Sequence, residues 1–138
     1  MENHPAVVQT LNKITTSLAS VRGVLLWLSC TYLAYMFVKN GIIKFDPEGF
    51  WGPTFLRWGF PVWFLYLVGF LETAGGILIL IPKARFFGAM TISAVMFGAL
   101  ITRFIHGLSL DDGFYIFFIA VCCLYIASLS KFGNSGIE

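Results

Sequence analysis

The stretch VWFLYLVGFLETAGGILILI, from Val62 to Ile81, holds one charged residue, Glu72, among its twenty residues. A helix of about 20 apolar residues is about 30 Å long, which matches the hydrocarbon core of a bilayer. A carboxylate at that depth costs about 2.5 kcal/mol or more, and it normally faces a bundle interior where it has a partner. The stretch therefore predicts a membrane-spanning helix whose inward face carries Glu72.

The rest of the chain is also unusually apolar. Of its 138 residues, 58% are hydrophobic and 12% are charged, and the mean hydropathy is +0.83. Soluble domains average about 25% charged residues. The formal net charge of +2 is too small to indicate a nucleic acid or an anionic substrate as partner. Length and composition predict a single membrane domain over residues 1–138, an all-α bundle of four spanning helices.

The apolar segments place the four spans at residues 24–44, 62–81, 86–105 and 114–129. In the segment 1–21, apolar residues recur at three-to-four spacing from residue 5 onward. We expect this segment to be an amphipathic helix on the membrane surface before the chain turns inward at Arg22. A straight extension of the first span is the alternative.

Short connections set the topology of the spans. Only Pro82 to Arg85 join the second and third spans, which predicts an antiparallel hairpin and both termini on one side. Five Lys and Arg residues fall on the terminal side and four on the other, a bias that favours cytoplasmic termini. We therefore expect a multi-pass protein of the inner (cytoplasmic) membrane with both termini in the cytoplasm.

The connection between the first and second spans, residues 45–61, is rich in aromatic residues, including Trp51 and Trp58. Aromatic rings with a polar edge prefer the headgroup level, so the segment is predicted to be an interfacial loop that contains a short helix or a re-entrant cap. It is either an aromatic belt or a lid over a lateral ligand entrance.

The sequence directs Glu72 inward and leaves its partner open. Counted from the hairpin, Arg103 lies about 13 Å from Glu72 along the membrane normal, which is too far for a direct pair. Three residues are predicted nearer the level of Glu72 in the membrane: Tyr32, Tyr35 and Ser93. The alternative is that the carboxyl group of Glu72 is protonated. Small residues are predicted to pack the hairpin tightly around Glu72: Gly69, Gly75 and Gly76 in the second span, and the pairs Ala89/Ser93 and Ala94/Gly98 in the third.

Glu72 and His106 are the candidate catalytic residues. Ionisable groups within a membrane are usually functional, and an imidazole exchanges protons near neutral pH. The structural alternatives are a hydrogen-bonded Glu72 that specifies the fold and a solvated His106 at the interface. The candidates for binding a cofactor are four cationic or aromatic residues: Lys44, Arg103, Trp58 and Tyr35. For the two cations, the alternative is that their side chains extend to the lipid headgroups.

No metal site is predicted, because His4 and His106 fall on opposite sides and the acidic residues are scattered. The three cysteines, Cys30, Cys122 and Cys123, lie in apolar segments without a C-x-x-C spacing. We expect them to pack as small hydrophobic residues.

Residues 20–130 resemble the DoxX and DoxX-like family of small four-span membrane proteins. The resemblance is carried by Arg22 at the start of the first span, Gly41-Ile-Ile-Lys44-Phe45 at its end, Glu72-Thr-Ala-Gly75-Gly76 in the second span, Pro82, and His106-Gly107 after a third span rich in Gly and Ala. The family is named for a subunit linked to thiosulfate:quinone oxidoreduction, and other members resemble accessory partners of oxidative-stress enzymes. By motif, the resemblance directs attention to Lys44, Glu72 and His106.

Two functional hypotheses follow. The first is a quinone-interacting subunit of a membrane oxidoreductase, with a quinone as the non-covalent cofactor. The second is a non-catalytic accessory or assembly subunit that packs against a larger membrane complex. Both imply the lipid bilayer and other membrane subunits, or further copies of this chain, as partners. A transporter is a weaker third hypothesis, since no pair of broken helices is evident.

Overall fold

The computed structural model describes residues 4–107 and 109–133. In these ranges the chain forms five helices and no strand. Four of them are long and apolar enough to cross a membrane, which confirms the predicted all-α membrane bundle. The helices are α1 (Pro5–Ile43), α2 (Trp51–Arg57), α3 (Val62–Leu80), α4 (Arg85–His106) and α5 (Leu110–Gly133).

Helix α1 is continuous over 39 residues, so the predicted turn at Arg22 is wrong and the alternative, a straight extension of the first span, holds. The segment contains no internal proline, and Gly23 alone costs too little to break a helix. Its hydroxyl groups bond the helix's own carbonyls, as Thr10 Oγ1 does with the Ala6 carbonyl at 2.8 Å. At about 1.5 Å per residue α1 is about 58 Å long, roughly twice the hydrocarbon thickness.

The helices pack in the order α1, α3, α4, α5, with each next to its neighbour in this series. Close backbone approaches bring α3 against both of its neighbours. A Cβ atom on Gly88 would lie 2.8 Å from the Gly75 carbonyl oxygen, and one on Gly76 would lie 3.2 Å from the Ala34 carbonyl oxygen. The buried core between the helices includes Cys30, Phe37, Ile79, Ile92, Ile119 and Cys123, and the described cysteines are all free thiols.

The hairpin between α3 and α4 buries a cation. Arg85 is only 6% exposed. Its Nε donates a hydrogen bond of 3.0 Å to the Ile79 carbonyl, and its guanidinium lies 4.6 Å from the centre of the Trp27 ring. Trp27 therefore lies at the level of the hairpin, and the part of α1 that precedes it extends beyond the other spanning helices.

The fourth span begins earlier than predicted. Helix α4 ends at His106, and Gly107 adopts a φ of 94°, a conformation that favours glycine. Helix α5 then starts at Leu110 and not at 114. Its first turn holds Asp111 and Asp112, whose negative charges are favourable at a helix N-terminus.

Candidate functional site

Helix α1 ends beside the middle of α3, and two glycines let the two backbones approach closely at that point. Gly41 and Gly69 are both buried, and a Cβ atom on Gly41 would lie 2.7 Å from the Gly69 carbonyl oxygen. Gly69 lies about 10 Å along α3 from Val62, counted at the rise of an α-helix. The side chain that follows the last turn of α1, Lys44, is therefore held beside the middle of α3.

Lys44 is the partner of Glu72. Its Nζ atom lies 2.6 Å from Glu72 Oε2, and each side chain is only 5% exposed. Tyr32, Tyr35 and Ser93 were predicted nearer to the carboxylate, and none of the three forms a hydrogen bond with it. The expectation failed because it assumed that α1 runs the full depth of α3, which would have left Lys44 at the membrane surface.

A buried ion pair of this kind stabilises a fold weakly. Removing two charges from water costs several kcal/mol per ion, and their mutual attraction repays this cost only in part. A pair of well-packed apolar side chains in the same place would give the fold equal or greater stability. Stability alone therefore does not account for two buried charges in the middle of apolar spans.

A cavity of about 670 Å³ opens beside the ion pair, and the last turns of α1 form part of its wall. Both Lys44 and Glu72 line it, and so do residues of α2, α3, α4 and α5. Most of its wall is apolar, and the aromatic side chains in it are Phe37, Trp51, Phe55, Trp58, Phe60, Phe64 and Tyr115. The ion pair is thus a polar group in a largely hydrophobic chamber.

Helix α2 and the residues around it cover this chamber with aromatic rings. The predicted short helix is present at Trp51–Arg57, and its buried Phe55 lies 5.8 Å from Trp58 and 5.9 Å from Phe60, measured between ring centres. The Trp51 ring lies 4.5 Å from Lys44 Nζ. A cation over an aromatic face is attracted to it, so Trp51 helps to hold the ammonium group towards the cavity.

A second ion pair lies where α4 and α5 meet. Arg103 Nη1 is 2.7 Å from Asp112 Oδ2, and both residues line the cavity. The two side chains are more exposed than the central pair, which places them at the rim. His106 stacks on Trp58 with ring centres 5.9 Å apart, and it is exposed to the outside and does not line the cavity.

The structure brings four of the six predicted site residues to the cavity: Lys44, Trp58, Glu72 and Arg103. His106 stacks on Trp58, one of the aromatic residues that cover the cavity. Tyr35 lies on the far face of α1, where it is 62% exposed and the centre of its ring lies 5.9 Å from Lys39 Nζ. Two further residues that line the cavity, Trp51 and Asp112, were not predicted from the sequence as site residues. Asp112 follows Arg103 by nine residues across a turn at Gly107, which is the signal that could have suggested the pair.

The two small-residue pairs of α4 have different roles. Ala89 and Ser93 are buried in the helix packing, as predicted. Ala94 and Gly98 line the cavity, and a Cβ atom on Gly98 would meet nothing within 4 Å. The second pair therefore makes room for the chamber and does not bring two helices together. Within residues 4–107 and 109–133 there is no group of three His, Cys, Asp or Glu residues that could hold a metal ion.

Four apolar spanning helices around a buried ion pair define a multi-span helical membrane protein. A sequence profile of the DoxX-like family matches residues 28–128; the chain belongs to that family. The matched range contains the ion pair, α2 and the cavity, and it begins after the projecting part of α1. No curated protein and no solved structure matches the chain.

The Arg103–Asp112 ion pair at the rim of the cavity is expected to contribute little to the stability of the fold. Replacing Asp112 by Asn should change the free energy of unfolding by less than about 1 kcal/mol, because an exposed ion pair gains little over its solvated ions. Unfolding of the purified protein in mixed micelles measures this. A loss of several kcal/mol would show that the Arg103–Asp112 pair is effectively buried.

Proposed function

We propose that the chain is a quinone-binding subunit of an oxidoreductase in the inner membrane, with both termini in the cytoplasm. The observation that carries this proposal is the Lys44–Glu72 pair in the wall of an aromatic cavity among membrane-spanning helices. Quinones reside in the bilayer and join a flat ring with two carbonyl groups to an apolar tail. A site for them needs an apolar chamber with a few polar groups at fixed positions.

The residues present fit such a ligand. A volume of about 670 Å³ lies within the range typical of small-molecule sites, about 300–1,000 Å³. The rings of Trp51, Phe55 and Trp58 provide flat apolar contacts on the α2 side. Lys44 Nζ donates to Glu72 Oε2, and an ammonium group has three protons to donate. Two donors are thus left for a ligand carbonyl oxygen.

The proposed role of Glu72 is to accept protons when a quinol is oxidised. Oxidation of a quinol releases two electrons and two protons. Glu72 accepts one proton from a ligand hydroxyl group, since a base must lie within hydrogen-bond reach of the proton it takes, and it releases that proton before it accepts the second. His106, exposed beside Trp58, is the candidate group for passing protons on to the solvent outside the rim. The electrons pass to a redox-active partner subunit, which makes this chain one component of a larger system.

Tryptophan fluorescence tests the proposal, because Trp51 and Trp58 line the cavity whereas Trp27 and Trp63 do not. Titration with a short-chain ubiquinone should give saturable quenching. Replacing Trp51 and Trp58 together by Phe should remove most of it, whereas Trp63→Phe, the matched control, should leave it. Glu72→Gln should raise the dissociation constant about ten- to hundredfold, through a weaker hold on Lys44 and the ligand.

Quenching that rises linearly with quinone and is equal in the wild type and in Glu72→Gln would contradict the proposal. In that case the second candidate gains support, a non-catalytic assembly subunit. The projecting part of α1, which lies outside the family match, is the feature that favours such a role.

A further inference from the structure

The N-terminal part of α1 extends well beyond the bundle. Since Trp27 lies at the level of the hairpin and Leu26 still packs against the core, residues 5–25 project about 31 Å past it, at the rise of an α-helix. Most of the stability of a helix in a protein comes from the packing of its apolar face, and among the described residues the projecting part has no other helix of its own chain to pack against. It also cannot lie flat on the membrane while the same continuous helix spans it. The projecting part therefore needs something to cover its apolar side.

The apolar side follows a heptad pattern. Val7, Leu11, Ile14, Leu18, Val21 and Leu25 are separated by alternating steps of four and three residues, and Leu28 continues the series. All seven are between 51% and 64% exposed. A repeat of 3.5 residues sustained over three heptads is the signature of a left-handed coiled coil, whereas a lone surface helix follows 3.6.

We propose that a second copy of this chain covers this stripe, and that the α1 helices of the copies form a parallel coiled coil. Copies inserted in one bilayer share their orientation, so their α1 helices run parallel and in register. Each residue of the stripe then faces its own counterpart, as the two-fold symmetry of a homo-oligomer requires. Residues Leu11, Leu18 and Leu25 occupy the a positions, and Val7, Ile14, Val21 and Leu28 occupy the d positions.

The position of the stripe leaves room for the bundles. Residues nine apart on an α-helix, at about 100° each, point in opposite directions. Leu28 is nine residues from the buried Phe37, and Val21 is nine from the buried Cys30. The stripe thus faces away from α3, and two bundles lie on opposite outer sides of the paired helices without colliding.

The residues that flank the stripe are compatible with self-association. The e and g positions hold Val8, Thr10, Thr15, Ser17, Arg22 and Val24, of which only Arg22 is charged. In a parallel pair Arg22 faces Ser17 of the second copy and not another Arg22. No like charges therefore oppose each other across the seam. Lys39, at the next a position after Tyr32 and Tyr35, ends the apolar series.

Cysteine cross-linking in native membranes tests the proposal. Ile14→Cys places a thiol at a d position, and Thr16→Cys places one at the outward f position of the same heptad. Under mild oxidation we expect the first variant to form dimers about tenfold faster than the second, because d positions face each other. The unaltered chain, with its three native cysteines, sets the background.

The mass of the purified protein is the second measurement. After correction for detergent, the wild type should have at least twice the 15.4 kDa of one chain. Leu18→Glu should reduce it to one chain, and Thr16→Glu should not. Because Leu18 is exposed and outside the bundle, the bundle of Leu18→Glu should unfold at the wild-type temperature. Equal cross-linking at positions 14 and 16, cross-links to a different protein, or a wild type of one chain would overturn the proposal.

Discussion

Replacing Glu72 alone by Ala is expected to lower the free energy of unfolding by about 3–5 kcal/mol, the usual cost of leaving one buried charge without its partner. Lys44 Nζ lies 2.6 Å from the carboxylate, and both side chains are 5% exposed. Without Glu72 the ammonium group has the Trp51 ring as its remaining partner. Unfolding in mixed micelles, followed by circular dichroism, measures the loss.

The matched control removes both charges at once. In the double variant Lys44→Met/Glu72→Leu no buried charge is left unpaired, and apolar side chains of similar size take the place of the pair. We expect its stability to be equal to or above that of the wild type. A Glu72→Ala variant that is as stable as the wild type would show that the pair is open to water and that the buried site described above is wrong.

Replacing Gly41 by Ala is expected to have the next largest effect. A Cβ atom there would lie 2.7 Å from the Gly69 carbonyl oxygen and 2.8 Å from the Thr73 backbone nitrogen, both in the backbone of α3. Helix α1 must then move away from α3, at a cost of about 1–3 kcal/mol. The same movement separates Lys44 from Glu72, so the affinity for quinone should fall together with the stability.

Gly23→Ala is the control for this variant. Gly23 belongs to the same helix, and a Cβ atom there would meet nothing within 4 Å. The change should stabilise α1 by up to about 1 kcal/mol through helix propensity, with unchanged quinone affinity. If Gly41→Ala behaves like Gly23→Ala in both measurements, the close approach of α1 and α3 does not position the ion pair.

The sequence predicted the features that depend on composition and periodicity. Twenty apolar residues with one carboxylate identified α3 as a span and directed Glu72 inward, and the short connection at Pro82 predicted the hairpin with α4. The inward face of Gly69, Glu72, Gly75 and Gly76 is confirmed, since all four are buried. These properties belong to one helix or one turn, and each can be derived from local residues.

The ion pair itself could not be predicted in this way. Periodicity gives the direction of a side chain around its helix but not the axial offset between two helices. That offset depends here on the contact of Gly41 with Gly69, which places Lys44 at mid-depth. The direction of Tyr35 was, in contrast, available from the sequence. It is nine residues from Lys44, so the two side chains point to opposite sides of α1.

If the Lys44–Glu72 pair holds a quinone in the cavity, the protein should copurify with one and should lose it with the pair. Solvent extraction and chromatographic quantification of the quinone that copurifies with the protein test this claim most directly. The wild type should carry close to one quinone per chain, and the Lys44→Met/Glu72→Leu variant, folded and equally stable, should carry almost none. Equal quinone content in the two proteins, or none in the wild type, would contradict it.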